Sequence, residues 1–224
     1  MNEITRPRLA PTAAVLLLGA PVLMAVGRLL LVPFDDQRWD SVLTQAAAHQ
    51  GRSDVGWVIA MAASGLLGAA ALSFAWVLHL VGRTKSAAFV AVTTALGWAG
   101  SAGICAGGML LSYQGRARDR AVQVQLLRDF NSGHSAFVFL LCIAAAIGYV
   151  VLGVELARSG MVGKGVAILI GLGGVGTLLT MAGPLKALLV FAALVLLAGQ
   201  ALAVRAIGVA TTTEPKPVWE PVSS

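Results

Sequence analysis

The sequence predicts an all-α fold: a polytopic membrane helix bundle with six transmembrane helices and two short interfacial helices on the outer side. Of its 224 residues, 58% are hydrophobic and only 12% are charged, whereas soluble domains carry about 25% charged residues. The apolar residues are grouped in runs of roughly 20, the length that crosses a bilayer as a helix. We therefore expect lipid to face much of the chain.

The spans follow one another along the chain, separated by turns and polar segments. Residues 1–10 form an N-terminal tail, 11–206 the transmembrane domain, and 207–224 a polar, proline-containing tail that we expect to be disordered. The first apolar run follows Arg6 and Arg8 as in a signal peptide, but no convincing cleavage site follows, so we interpret it as a retained helix. The predicted spans cover about 11–32, 55–81, 87–113, 134–158, 165–181 and 185–204.

Two polar segments on the outer side have apolar residues at helical spacing. Residues 38–50 and 116–130 are therefore predicted to be helices that lie in the membrane interface, with their apolar sides buried against the bundle or in lipid. These apolar sides include Trp39, Leu43, Val122 and Leu126.

Aromatic and small residues predict how the spans are placed and packed. Trp57 and Trp76 lie near the two ends of the second span, where an aromatic belt would place them. In the third span, Ala99, Gly103 and Gly107 recur every four residues and predict a face for close helix packing.

The cysteines and histidines predict neither a metal nor a cofactor. Cys105 and Cys142 each lie about 12 Å inside the outer boundary, so we expect reduced thiols that share one layer. Two sulfurs are too few ligands for zinc. His79 and His134 are expected at opposite faces of the membrane, which makes them poor candidates for joint ligation of one haem.

The net charge of +6 indicates membrane lipids as partners rather than nucleic acid. The basic residues lie in short segments between apolar runs and form no continuous stripe, as a nucleic-acid surface would require. Charges placed in this way suit the anionic headgroups of lipids.

The charges also predict a multi-pass protein of a bacterial inner membrane with both termini in the cytoplasm. Eight basic residues fall on the side of the termini and seven on the other side, so the count alone decides little. Orientation depends most on short loops, and acidic residues contribute little. The short turns on the side of the termini carry almost only basic residues, whereas four arginines in 114–133 favour the opposite orientation.

An outer layer of polar residues is the predicted ligand site, because ionisable residues in or beside spans are costly and suggest a function. Arg28 lies within the first span. Its side chain either extends to the lipid headgroups, or it binds an anion or forms an ion pair with an aspartate of the outer layer. The ligand-binding candidates are Arg28, Asp36, Asp54, Arg118 and His134.

Three carboxylates are candidates for a catalytic general acid. They are Asp36, Asp40 and Glu155. A solvated loop with a helix cap is the simpler explanation of Asp36. Glu155 lies one helical turn from Arg158, which a surface ion pair explains; the alternative is a proton-handling carboxylate near His79 and Gln200.

A polar segment leads through Ala46-Ala47-Ala48 and Gly51 into the second span, and His134 lies just before the fourth. The junction of the fourth and fifth spans contains Gly148-Tyr149, Gly153, Arg158-Ser159-Gly160 and Gly165. This order of features resembles a bacterial family of six-helix membrane proteins known only as a domain of unknown function. The resemblance covers about residues 10–206 and implies six helices, but no known activity and no catalytic residues.

Two classes of function agree with these features. The first is non-enzymatic binding of a lipid, a small amphiphile or a partner helix through the outer polar layer. The second is a membrane-embedded cyclase or transferase that acts on an isoprenoid or lipid through a carboxylate general acid. A transporter is less favoured, because Pro21 is the only mid-span proline and no later span matches it.

Overall fold

The chain is all-helical in a computed structural model that describes residues 7–31, 39–114, 119–179 and 186–209. Within these ranges the only β feature is an isolated bridge between Leu9 and Val209. The helices are α1 (Pro11–Leu30), α2 (Trp39–Ala48), α3 (Gln50–Leu80), α4 (Thr84–Gln114), α5 (Arg120–Arg158), α6 (Lys164–Leu179) and α7 (Lys186–Ile207).

Five of the described helices contain a segment long and apolar enough to cross a membrane: α1, α3, α4, α5 and α7. The sixth predicted span corresponds to α6, which is apolar but has 16 residues in the described part of the chain. The structure therefore gives five candidate spans and a shorter apolar helix beside them.

The six apolar helices form a closed ring in the order α1, α3, α4, α5, α6 and α7, and α7 returns to contact α1. Neighbours are antiparallel, since Gly68 of α3 faces Trp98 of α4 while Gly108 of α4 faces Trp57 of α3. The backbone N–H of Leu9 donates to the Gly208 carbonyl over 2.9 Å. The start of α1 and the end of α7 thus meet at one end of the ring, which we call the termini end.

The opposite end of the ring, which we call the α2 end, is crossed by α2. This helix contacts α3, α4 and α5, and Leu43 on its inner side is fully buried. Only His49 separates α2 from α3, and helical hydrogen bonds continue across it from Ser53 N–H to the His49 carbonyl. Residues 39–48 are therefore helical, as predicted, and form a bent extension of α3 over the bundle.

The second interfacial segment does not form a helix of its own. Residues 120–130 are helical, but they belong to α5, which runs without interruption for 39 residues. Phe137–Arg158 is the candidate span described in α5, and residues 120–130 extend the same helix beyond it. Val122 on this extension is 54% exposed and does not pack on the bundle.

Glycines at the contact between α4 and α5 differ from those that the sequence pattern selected. A Cβ atom at Gly97 would meet Ala145, and one at Gly100 would lie 2.8 Å from the Leu141 Cβ. A Cβ atom at Gly103, in contrast, would have no neighbouring atom within 4 Å. The predicted face through Gly103 was wrong, because α4 is rotated so that Gly97 and Gly100 meet α5.

The prediction of an aromatic belt is wrong for Trp57 and agrees with the exposure of Trp76. Trp57 is only 6% exposed and lies between α3 and α4, whereas Trp76 is 62% exposed. Proximity to the end of a span therefore did not determine whether the indole faces lipid or the bundle.

The two cysteines are free and buried in α4 and α5. Because Gly100 packs on Leu141, Cys105 and Cys142 lie about six residues apart in level, or roughly 9 Å along antiparallel helices. This spacing agrees with the expected common layer.

Gly97→Leu should destabilise the protein, because its side chain would meet Ala145 and the Leu141 carbonyl oxygen, and the backbone of α5 cannot yield easily. Overpacking of this kind costs about 1–3 kcal/mol. Thermal unfolding in detergent, followed by circular dichroism, should show a lower midpoint. Gly103→Leu is the matched control and should unfold like the wild type; equal effects of both substitutions would contradict the α4–α5 contact.

Candidate functional site

The candidate site is built where α1 and α3 cross near the α2 end. A Cβ atom at Gly27 would lie 2.8 Å from the Ala60 backbone nitrogen, and one at Gly56 would lie 2.8 Å from the Gly27 carbonyl oxygen. Only glycine permits such a close approach of two helix backbones. The next residues in each helix, Arg28 and Trp57, are thereby brought together.

Arg28 lies over the face of Trp57. Its guanidinium carbon is 5.2 Å from the indole centroid, within the range of a cation–π interaction. The indole in turn lies directly on Gly108 of α4, where any side chain would collide with the ring. Three helices therefore fix the position of this one pair of side chains.

The Arg28 guanidinium is buried but lacks the acceptors that such a group requires. The residue is 7% exposed, and its Nε and Nη2 atoms have no hydrogen-bond partner. An unpaired buried charge costs several kcal/mol, of which an indole face returns about 2 kcal/mol. The free N–H groups are therefore positioned for an acceptor that the described residues do not supply.

One face of α3 adds acceptors beside this donor. Gln50, Asp54 and Trp57 follow a spacing of four and three residues, which places them on one side of the helix. The Gln50 Oε1 and Asp54 Oδ1 atoms are buried and have no hydrogen-bond partner. Unpaired donors on Arg28 and unpaired acceptors on Gln50 and Asp54 thus lie within two turns of the α2 end.

A side-chain contact anchors the start of α3 to the end of α1. The exposed Arg52 donates from Nη2 to the Leu29 carbonyl over 3.0 Å, one of the last carbonyls of α1, which have no partner within that helix. This contact keeps α1 and α3 together above the crossing at Gly27. It therefore supports the position of Arg28 without taking up its free N–H groups.

Below Trp57, the polar residues pair with one another inside the bundle. Ser64 and Ser101 share a hydrogen bond of 2.7 Å between α3 and α4, and Ser64 also donates to the Ala60 carbonyl. Both serines are fully buried. The unpaired polar atoms on α1 and α3 therefore belong to the α2 end and do not continue down this part of the interface.

The remaining ligand-site candidates are only partly described. Asp36 and Arg118 lie outside the described residues, and Asp40 and His134 lie in α2 and α5 with side chains outside the described part. The structure brings Arg28 and Asp54 to the same end of the bundle. No ion pair joins these two described residues.

Glu155, the third catalytic candidate, lies at the termini end and belongs to a network of ion pairs. Its carboxylate is 3.4 Å from Arg158 Nη1 and 3.8 Å from Arg83 Nε, and its side chain is 10% exposed. The pair with Arg158 agrees with the i,i+3 interpretation. Arg83 was not foreseen as a partner, because it lies in the turn between α3 and α4 and reaches Glu155 only through the fold.

His79 and Gln200, the expected neighbours of a proton-handling Glu155, are not among its ion-pair partners in the described part of the chain. His79 is exposed and stacks on Trp76 at a centroid distance of 5.4 Å. Gln200 is fully buried in α7, and both of its amide atoms lack a partner. The ion-pair partners of Glu155 are the two arginines.

Metal ligation has no support in the described part of the chain, where no three His, Cys, Asp or Glu residues come together. The groups present at the α2 end are instead a guanidinium, an amide oxygen and a carboxylate oxygen. These groups recognise polar heads by hydrogen bonds and charge.

Sequence reasoning selected Arg28 and Asp54 but missed Trp57 and Gln50 as parts of the same site. The signal available was the placement of Arg28 and Trp57 each directly after a glycine, Gly27 and Gly56. That signal becomes informative only once α1 is known to cross α3 at these glycines.

No family model matches this chain, and neither the curated proteins nor the solved structures include a significant match. The resemblance to a six-helix membrane family therefore stays a prediction. A function has to be inferred from the geometry of the site itself.

Glu155→Gln removes the carboxylate charge while it keeps the shape of the side chain. Because Arg83 and Arg158 are 47% and 68% exposed, water stabilises both cations after the loss, and we expect a cost of only about 0.5–1 kcal/mol. Denaturant unfolding in detergent should measure this loss. In a double-mutant cycle, Arg83→Gln should cost less in the Glu155→Gln background than in the wild type; full additivity would show that the ion pair contributes nothing.

Proposed function

We propose that this multi-pass membrane protein binds the polar head of an amphiphile at the α2 end and does not act as an enzyme. The observation that carries the proposal is the buried Arg28 guanidinium, whose Nε and Nη2 atoms have no acceptor among the residues that the structure describes. A buried charge without a partner destabilises a fold. Binding of a complementary head would offset that cost.

The unpaired atoms define the chemistry of the head. Arg28 requires an acidic group such as a phosphate, which guanidinium groups bind with two parallel hydrogen bonds. Gln50 and Asp54 present unpaired oxygens and require donors, such as a hydroxyl or an ammonium group. The ligand we propose therefore carries both an acid and a donor in its head and an apolar tail in the surrounding lipid.

The alternative function, a cyclase or transferase acting on an isoprenoid or lipid, needs a free carboxylate at a lipid-accessible cavity. Its candidates Asp36 and Asp40 have side chains outside the described residues, and Glu155 is engaged by two arginines. No observation on the described residues favours this alternative over binding.

We also propose that the termini end faces the cytoplasm of a bacterial cell. The supporting observation is the charge at that end, where the described residues include six cations and a single carboxylate, Glu155. Basic residues in short cytoplasmic loops determine orientation. The cations are Arg8, Arg83, Lys85, Arg158, Lys164 and Arg205.

The binding proposal predicts that Arg28→Met abolishes stabilisation by a suitable amphiphile. We expect lysophosphatidylethanolamine, with a phosphate and an ammonium donor, to raise the unfolding temperature of the wild type in detergent. Ligand at about 100 times its dissociation constant adds about 2.7 kcal/mol. Lysophosphatidylcholine has the same phosphate and glycerol hydroxyl, but its quaternary ammonium group has no N–H donor, so it should stabilise the protein less.

Two comparisons distinguish a binding arginine from a structural one. Arg28→Met replaces an unpaired buried charge by an apolar chain, so the ligand-free variant should be at least as stable as the wild type. Arg52→Met, at the same end but exposed, should keep the response to ligand. If lysophosphatidylethanolamine stabilised the wild type and Arg28→Met equally, the binding role of Arg28 would be refuted.

The orientation proposal predicts the accessibility of single cysteines in a background of Cys105→Ala and Cys142→Ala. A membrane-impermeant maleimide applied to intact cells should modify Arg118→Cys and should leave Arg83→Cys unmodified. After permeabilisation, both positions should react. Labelling of position 83 but not of position 118 from outside would reverse the orientation.

A further inference from the structure

A groove runs along the outside of the ring between α5 and α6. It encloses a cavity of about 460 Å³, within the range of about 300–1,000 Å³ typical of small-molecule sites. Its wall is apolar along nearly its whole length and is open on the side that faces lipid. The floor consists of Gly153, Ala157, Ala167 and Gly171.

The small floor residues explain why the groove exists. A Cβ atom at Gly153 would lie 2.6 Å from the Ala167 carbonyl oxygen, so α5 and α6 approach closely there and leave no bulky side chain between them. Larger residues stand on both rims, and they are exposed to the surroundings of the bundle. The rim residues are Val150, Val154, Ile168 and Leu172.

The length of the groove corresponds to one leaflet. Its lining extends on α6 from Lys164 to Val175, which is about 16 Å of helix. Half of a hydrocarbon core of roughly 30 Å is about 15 Å. The groove therefore begins at the termini end of α6 and ends near the depth at which a phospholipid acyl chain ends.

Two cations lie at the headgroup end of the groove. Arg158 and Lys164 belong to its lining, and both side chains are exposed. Among the described residues, Arg158 contacts Glu155 through Nη1, and its other N–H donors have no partner there. The start of α6, with the positive end of its helix dipole, adds to the attraction for an anion at this position.

We propose that the groove between α5 and α6 binds one anionic phospholipid, with an acyl chain on the glycine and alanine floor and the phosphate between Arg158 and Lys164. We choose this occupant because the apolar length of the groove matches an acyl chain and because the two cations lie where the phosphate of that lipid would be. A second copy of the chain fits less well, because a two-fold axis along the membrane normal would bring Arg158 and Lys164 of both copies together. Like charges so placed repel.

Native mass spectrometry of the full chain tests this proposal. The protein is prepared in detergent with equal amounts of phosphatidylglycerol and phosphatidylcholine that have the same acyl chains, and the lipids retained after release from detergent are measured. The wild type should retain phosphatidylglycerol preferentially. Combined Arg158→Gln and Lys164→Gln substitutions should reduce that preference roughly 25-fold, since each cation near a headgroup contributes about a fivefold effect and the two effects multiply. Lys85→Gln combined with Arg205→Gln, two exposed cations at the same end but outside the groove, should leave it unchanged.

A second variant tests the groove independently of charge. Gly171→Leu should fill the floor and lower retention of the lipid several-fold, and it should fold because a Cβ atom there has only ordinary contacts at 3.8 Å and beyond. Gly103→Leu on the open side of α4 is its control. Equal losses with both charge pairs, or full retention in Gly171→Leu, would overturn the proposal. The proposal would also be overturned if the wild type were a dimer without bound lipid and Gly171→Leu made it a monomer. That result would show that a second copy of the chain occupies the groove.

Discussion

The close approach of α1 to α3 at Gly27 and Gly56 is the constraint on which the candidate site depends. It leaves no room for side chains between the helices and therefore pushes the next residues, Arg28 and Trp57, against each other. Among the cations whose side chains the structure describes, Arg28 is the one that the fold buries. A side chain that snorkels would avoid the cost of desolvation, but the crossing holds this guanidinium over an indole instead. The geometry of a backbone contact thus determines the electrostatics of the α2 end.

The position of residues along the bundle axis was predictable from the sequence, whereas rotation about each helix axis was not. The length of an apolar run and its flanking charges indicate where a span begins and ends. Glu155 and Arg158 were therefore expected one turn apart at the end of a span, and they form an ion pair there. Rotation depends on the neighbours that a helix meets. The pattern through Gly103 was regular, yet α4 turns Gly97 and Gly100 toward α5. The position of Trp57 near the end of a span predicted an indole at the membrane interface. The indole instead packs on Gly108 of α4, which has no side chain, and is buried there.

The boundaries of the elements show a second limit, because breaks in hydropathy are not breaks in hydrogen bonding. Residues 116–130 are polar enough to suggest a separate interfacial helix, but α5 continues from Arg120 to Arg158 without a break. No proline or glycine turn interrupts it at the membrane surface, and a helix needs such a cause to end or kink. The same reasoning applies to α2 and α3, which His49 bends without ending the hydrogen-bonded path. Polarity predicts where these segments would leave the membrane, but it did not identify where the helices stop.

The two ends of the bundle handle buried charge in opposite ways. At the termini end, Glu155 is buried but has cationic partners from two different elements, and those partners reach water. At the α2 end, Arg28, Gln50 and Asp54 retain buried atoms without partners. A fold selected for stability alone would pair such atoms or replace them by apolar groups. Unpaired amide atoms alone do not mark a site, since Gln200 in α7 has them as well. The difference between the ends lies in the buried charge: Glu155 has cations beside it, whereas the buried Arg28 guanidinium has no acceptor among the described residues, and on this difference we base the proposal of recognition at the α2 end.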